Sequence, residues 1–483
     1  MSKRKILINY LYSSCYQIFL ILIPLITAPY MARVLLPTGM GINSYVSTII
    51  QMFTLFGLIG LNGYSTREIA YVRDNKKELS KVFYELFFLR IILCVLTTIS
   101  YVVYAHFSEY ELYFYVQILV IISTFEDLAW FYVGLEEFKV TVTRNFVIKI
   151  LNVLTIFIFV KSQDDLYLFM GLTAFWSFFG NFFLYPGLRK RIEHVDYKAL
   201  EIKKHLLPTI KLFLPQVASM IYLQVDKVMI KSITEQVEGV GFYEQAERIV
   251  KMPIALITAF SSVMMPRISN VFKKKKLDEV KRYLLNSFQF SLFLSIPMMF
   301  GIASIASTMI PWFLGKGYEN VIPIMISLCP IVLFISLSGV TGNQYLTAVN
   351  NTRVLTISYV VAAILNLIVN YICILNFGFI GAAFGTIVAE GAVFIIQIYY
   401  MKEVITIQNL MKASYKYWLA GIFMFGCCYS FTFFLNPTII TTVIQIFCGC
   451  LVYFGMLFLL KDDFFLRNAM MVQKKVLNRL KKS

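Results

Sequence analysis

Charged side chains that interrupt long apolar runs are the residues of this sequence whose types and spacing could do chemistry. A charge inside a bilayer costs about 2.5–3.5 kcal/mol on insertion scales, so each such group needs a partner or a wet cavity. Arg90 lies inside an apolar run that begins near residue 82, about 12 Å along a helix and beyond comfortable snorkelling reach. Two destinations are open to it: a cavity wall, or an ion pair with Glu85 or Glu126. Glu126 and Asp127 are consecutive in Ser123-Thr124-Phe125-Glu126-Asp127-Leu128-Ala129-Trp130. On one helix such neighbours point about 100° apart, so one carboxylate faces a cavity while the other packs, pairs with Arg90 or is capped near the inner surface.

Further along, Gln216, Gln224, Lys227 and Lys231 fall within an arc of roughly 80°, with Asp226 pointing away. That stripe offers a cationic, hydrogen-bonding face to a diphosphate or to acidic sugars; the plainer alternative is that Lys227 snorkels outward. Glu244 with Arg248 and Glu247 with Lys251 are spaced as i,i+4 pairs, which balances charge at a helix start. Arg248 and Lys251 at the outer mouth of a path are the alternative. Arg67, Arg267, Lys149 and Lys211 sit within about a turn of helix ends, where each is an ordinary anchor and together they draw an anionic head group toward a cleft. Glu390 stands in mid-run, in Ala389-Glu390-Gly391, and needs a partner or water.

The elements that must carry these residues follow from composition. Of 483 residues 59% are hydrophobic and 15% charged, with a mean hydropathy of +0.72; a water-soluble core cannot absorb that much apolar surface. Apolar runs of spanning length occur near 10–31, 42–64, 82–105, 112–134, 145–161 and 166–186, then near 208–231, 247–267, 283–311, 320–346, 354–376 and 379–400, and finally near 415–436 and 439–460. The expected fold is an all-α integral membrane protein of about fourteen transmembrane helices. Its expected organisation is a six-helix lobe at 1–186, a cytoplasmic linker at 187–207, a second six-helix lobe at 208–400, and two further helices with a basic tail at 401–483. The run from Leu11 to Ala32 is too long for the apolar segment of a cleaved signal peptide and is read as the first span.

Most of the 44 Lys and Arg residues fall in segments that the positive-inside rule assigns to the cytoplasm, with both termini inside. The net charge of +17 is therefore a topology signal and an attraction to anionic lipid, and nucleic acid is not needed to explain it. An internal repeat runs at an offset of about 200 residues: Gly39-Met40-Gly41 stands against Gly239-Val240-Gly241, and Arg67 against Arg267. Parallel repeats of this kind commonly enclose a substrate path at their interface. Gly381 and Gly385 form a GxxxG pair, read as close helix packing, while Pro24, Pro29, Pro297 and Pro330 are candidate bending points. There is no GxxxxGK[ST] loop, no HExxH and no DxD, and the three histidines and the cysteines within apolar runs give no metal or disulfide framework. No cofactor is expected, and coupling to an H+ or Na+ gradient is left open.

From the N-terminus to about residue 400 the chain resembles a known family. Glu126 to Lys139 (EDLAWFYVGLEEFK), Arg144-Asn145, Phe159 to Asp165, Gln224 to Ile230 and Val240 to Ala246 are similar to segments of Wzx-type polysaccharide biosynthesis proteins, within the multidrug/oligosaccharidyl-lipid/polysaccharide exporter superfamily. The resemblance implies a two-lobed helical flippase in the bacterial inner membrane. It also implies a cationic cavity, with undecaprenyl-diphosphate-linked oligosaccharide for O-antigen or capsule as substrate, and polymerase and chain-length proteins as partners. Its charged positions map to Asp127, Asp226 and Lys227. Two other readings compete. A cation-coupled drug exporter of the same fold calls for an acidic residue in the first span, and residues 10–31 hold none. A glycan-polymerising membrane enzyme calls for a large outer loop, which the sequence lacks.

Overall fold

The computed structural model describes residues 3–402, 404–405 and 407–467; within these, the side chains at 3–22, 211–212, 214–215, 218–219, 262 and 407–413 lie outside the description. Among the described residues there is no strand. The first apolar run and most of the second form α1 (Lys3–Leu58), broken at Leu36 with φ 56° and ψ 174°. Pro37 follows, and a residue before proline is driven out of the α region. The chain therefore breaks there, while Pro24 and Pro29 are absorbed within the helix. A second break comes at Ile59 and Gly60, with φ of 47° and 77°, and α2 (Leu61–Val72) leaves it at 44°.

Asn75 starts α3 (Lys76–His106) by accepting from the N–H groups of Lys77 and Glu78, an ordinary cap. The fourth apolar run is divided into α4 (Glu111–Val116), α5 (Ile118–Glu126) and α6 (Ala129–Gly134). After these come α7 (Phe138–Phe159), α8 (Leu166–Asn181) and the single turn α9 (Tyr185–Leu188). Short 3-10 turns at Tyr197–Ala199 and Ile202–His205 then lead into α10 (Leu206–Thr234), α11 (Val237–Lys251), α12 (Ile254–Lys273) and α13 (Leu277–Phe313). Pro297 lies inside α13 without ending it. Pro330, by contrast, separates α14 (Val321–Leu328) from α15 (Pro330–Ser338), and α15 runs on into a π-helical stretch at Gly339–Leu346.

The chain closes with α16 (Thr352–Phe377), α17 (Gly381–Tyr400), α18 (Ile407–Phe434) and α19 (Ile439–Leu459). A Cβ at Gly381 would overlap the backbone of Cys373, and one at Gly385 the side chain of Asn370. The GxxxG pair is thus what lets α16 and α17 approach so closely.

Two compact units result, residues 1–231 with 236–241 and residues 232–235 with 242–483, so all of α10 up to residue 231, the seventh expected span, belongs to the first unit. Among the described residues ten helices are long and apolar enough to cross a membrane, or eleven if the bent pair Ile23–Leu58 and Leu61–Val72 is one span. The multi-pass, all-helical class expected from the sequence is the class of this protein. The expected count of fourteen is not reached among the described residues: Thr352–Tyr400 is counted once although it holds both α16 and α17, and α10 and the start of α1 carry side chains outside the description.

Candidate functional site: two cavities that share a wall

Two of the cavities in the first unit share a wall. One, of about 560 Å³, lies among α2, α5, α6, α7 and α8, and its wall includes Asn62, Asp127, Trp130, Arg144, Asn145, Lys149, Trp176 and Asn181. The other, of about 550 Å³, lies among α1, α2, α5 and α10, and includes Gln51, Gly60, Gln216 and Gln224. Asn62 and Thr124 line both.

Both cavities exist because helices stop inside the apolar zone. Non-helical backbone at membrane depth is tolerated only where it borders a cavity or buried protein, and each break here does so. Gly60 ends α1 in the left-handed region, and no side chain caps the start of α2. Asp127 ends α5 in an extended conformation, and its Oδ1 accepts from the freed N–H of Ala129 at 2.8 Å. The same carboxylate pairs with Arg144 at 2.5 Å, while Arg144 also donates to Asn181 Oδ1 at 3.1 Å and Asn181 donates to the Ser123 carbonyl at 2.7 Å. The expectation of Glu126 and Asp127 side by side on one helix is thereby corrected. The backbone leaves the helix between them, Asp127 lines the first cavity, and Glu126 keeps one buried carboxylate oxygen with no hydrogen-bond partner.

Arg90 stands behind the shared wall at 1% exposure. Its Nη2 donates to Asn62 Oδ1 at 2.6 Å, and its guanidinium lies 5.0 Å from the Trp130 ring centroid, a cation–π contact. Nε and Nη1 are buried without partners. Neither Glu85 nor Glu126, the two carboxylates considered for it, receives it. Glu85 is committed elsewhere: fully buried, it accepts from His205 at 2.9 Å, from the Glu201 N–H at 2.8 Å and from Lys204 at 2.9 Å. His205 in turn meets the Tyr64 hydroxyl at 2.8 Å. Burial pulls the Lys204 ammonium down, the bonds to Glu85 outweigh it, and its pKa is raised. This network ties the segment ahead of α10 to α2 and α3.

The remaining candidates are dispersed. Gln216 and Gln224 of the predicted stripe line the second cavity. Lys227 is 6% exposed and donates to Gln224 at 3.3 Å, Lys231 pairs with Glu109 at 2.9 Å, and Asp226 is buried at 2%. Arg248 pairs with Glu244 at 3.1 Å and Lys251 with Glu247 at 2.5 Å, the charge-balancing arrangement. Arg67 pairs with its neighbour Glu68 at 3.2 Å and lies over Tyr64 and Tyr71. Arg267 is exposed and Glu390 is buried; the Lys211 side chain lies outside the described residues. Among the cavity-lining groups, Asn62, Trp176 and Asn181 escaped sequence reasoning altogether, and Arg144 and Asn145 entered it only as part of a motif. Neutral amides and indoles in apolar runs carry no charge signal.

The repeat motifs meet each other within the first unit. A Cβ on Gly241 would sit 2.8 Å from the Gly41 nitrogen, and Thr38 donates to Glu238 at 2.9 Å.

Fold and cavities together define a multi-pass membrane protein built from broken helices. Its structure is similar to that of the lipid II flippase MurJ in an inward closed conformation, with a TM-score of 0.76 at 18% identity over 94% of this chain and 99% of that one. It is also similar to an inward-facing multidrug resistance transporter of the MATE family, with a TM-score of 0.59 at 14% identity over 79% of this chain and 98% of that one. Residues 6–272, more than half of the chain, match the family model described as polysaccharide biosynthesis protein, and the chain belongs to that family. A protein of Escherichia coli (strain K12) named as an O-antigen transporter is 22% identical over 79% of this chain and 93% of its own length. A Haloferax volcanii protein named as a low-salt glycan biosynthesis flippase is 26% identical over 45% of each.

Proposed function

We propose that this protein is a flippase for lipid-linked oligosaccharide, a transporter and not an enzyme. In this reading it carries undecaprenyl-diphosphate-linked repeat units from the inner to the outer leaflet of a bacterial inner membrane, by alternating access, for O-antigen or capsule. The relatives named for O-antigen transport and glycan flipping support the substrate class. One observation carries the chemistry: two polar cavities, walled by amides, indoles and ion-paired arginine, open at helix breaks within apolar helices. A hydrophilic head group needs such a lining to leave water, since each unsatisfied polar group in hydrocarbon costs several kcal/mol. Two six-helix lobes at 1–186 and 208–400, cytoplasmic termini, and polymerase and chain-length partners complete the reading. Asp127, Lys227, Arg90 and, more remotely, Arg67, Lys211, Asp226, Arg248, Lys251, Arg267 and Glu390 are its site residues.

The test is reconstitution of the full chain into vesicles with a fluorescent undecaprenyl-diphosphate-linked oligosaccharide. Protein-dependent exposure of the label on the opposite leaflet is expected. A rate equal to that of protein-free vesicles rejects the proposal.

A further inference from the structure

We infer that Glu126 is a proton-binding carboxyl, reached from the linker side of the first unit, whose protonation sets the break between α5 and α6. Three observations carry this. First, Glu126 lies within Glu111–Gly134, a segment long and apolar enough to cross a membrane, and among the described residues no cation pairs with it. Its side chain is half-buried, and Oε2 is buried without a hydrogen-bond partner. The titratable groups that face it are Asp127 beside it, Cys94 on α3 and Tyr185 on α9. Both nearby guanidinium groups are taken up with Asp127 instead: Arg144 on α7 pairs with that carboxylate at 2.5 Å, and Asp127 is the charge that acts on Arg90 of α3. A buried carboxylate that lacks a cation sheds its charge by taking up a proton.

Second, a proton has a route to it. A third cavity of the first unit, of about 790 Å³, lies between the start of α3 and the turn from α8 into the linker, with Tyr84, Tyr185, Arg189, Glu193 and His194 in its wall. Glu193 is paired there with Lys76 at 3.0 Å. Tyr185 belongs to this wall, and its hydroxyl lies 3.4 Å from the Glu126 carbonyl oxygen with the carboxylate beside it. A phenol both donates and accepts, so Tyr185 gives its proton to the carboxylate as it takes one from water, and ends with the charge it began with.

Third, Glu126 is the last residue of α5, and Asp127, in an extended conformation, is where the helix breaks. Glu126 lines neither of the two cavities that share a wall, whereas Asp127 lines one of them beside Arg144 and holds the Ala129 N–H. A neutral Glu126 leaves Asp127 ionised in its pair. Loss of the proton sets a like charge one residue from that pair, which like-charge repulsion disfavours, and so favours another arrangement of the break. Protonation from the linker side is thereby coupled to the wall of a cavity that Glu126 itself does not touch. The role of this coupling in transport rests on the flippase reading; the proton site does not.

The experiment is infrared difference spectroscopy of the full chain in phosphatidylcholine nanodiscs between mildly acidic and mildly alkaline pH, paired with hydrogen exchange of peptides covering 123–134. Wild type is compared with Glu126→Gln, which is close to isosteric with the protonated acid, and with Tyr185→Phe. A protonated-carboxyl stretch that titrates in wild type is expected to be lost in Glu126→Gln. Corrected exchange protection of 123–134 is expected to change about tenfold across the titration in wild type, the equivalent of one unit of difference in proton affinity between the two arrangements, and to stay level in Glu126→Gln. A stretch that survives unchanged in Glu126→Gln, or exchange that keeps its pH dependence there, overturns the inference. In Tyr185→Phe the stretch is expected to persist and to respond more slowly to a pH jump; an unchanged response overturns the route. The vesicle assay with an imposed pH difference separates the two readings. Movement that is faster with the difference in wild type and indifferent to it in Glu126→Gln supports the coupling. No movement by any chain while the stretch titrates rejects the flippase reading alone. Movement that ignores the pH difference in wild type, or keeps its dependence in Glu126→Gln, rejects the coupling alone.

Discussion

Replacing Glu85 with alanine is expected to release the segment ahead of α10 without unfolding the protein. Glu85 is fully buried and accepts from the Glu201 N–H at 2.8 Å, from His205 at 2.9 Å and from Lys204 at 2.9 Å. His205 is 1% exposed, so loss of its acceptor leaves a buried donor unsatisfied, as does loss at the Glu201 amide; each costs about 1–3 kcal/mol. The Lys204 side chain is 43% exposed and can return to water, so its share is under about 1 kcal/mol. Together these come to about 2–7 kcal/mol, centred on the range of about 3–5 kcal/mol for removing one partner of a buried charge. Apart from the exposed Lys81, whose Nζ lies 3.9 Å from Glu85, the groups set free lie on 201–205, so the cost falls on local opening. At about 1.4 kcal/mol per decade, the open population of that segment rises roughly a hundredfold or more. Hydrogen exchange followed by mass spectrometry on peptides spanning 196–206 reads this directly, because the Glu201 amide is itself a donor to Glu85. A combined Glu85→Ala, His205→Ala variant is expected to cost less than the sum of the two changes, since they share one network. Unchanged protection of 201–205 in Glu85→Ala refutes the reasoning.

Three shorter predictions follow from the same geometry. Asp127→Ala removes the partner of Arg144, whose side chain is 11% exposed, and the acceptor for the Ala129 N–H. With Asp127 itself 35% exposed, a loss of about 2 kcal/mol is expected, read as a lowered Tm by tryptophan fluorescence, with Asp127→Asn losing about half as much. Gly41→Ala places a methyl group against the Val237 backbone and is expected to destabilise by about 1–3 kcal/mol. Gly63→Ala, with nothing within 4 Å of the added atom, changes Tm little. Lys204 has a raised pKa, with burial opposing and Glu85 prevailing. Its contribution is therefore complete below its unfolded pKa and is lost as pH rises through the folded one. Corrected exchange protection at 201–205 is expected to hold through neutral pH and to fall above about pH 10, and a fall already complete at pH 8 contradicts this.

The sequence by itself determined whatever depends on neighbours along the chain. Runs of about twenty apolar residues specify spanning helices because 1.5 Å per residue must cover the hydrocarbon. The i,i+4 pairs Glu244–Arg248 and Glu247–Lys251 are set by helical spacing alone and are present as expected. The GxxxG pair and the glycines of the 200-residue repeat likewise mark places where backbones approach. Only the tertiary structure decided which charge meets which partner. Arg90 reaches Asn62, 28 residues away, and Glu85 reaches His205, 120 residues away. The most plausible partners along the sequence for Arg90 were other groups. Helix breaks at Gly60 and Asp127 lie within runs whose hydropathy gives no warning of them, and those breaks make the cavities. The reason is physical: hydropathy and periodicity are sums over local positions, whereas a buried charge takes its partner from whichever helix faces pack together, and that choice is made between segments far apart in the chain.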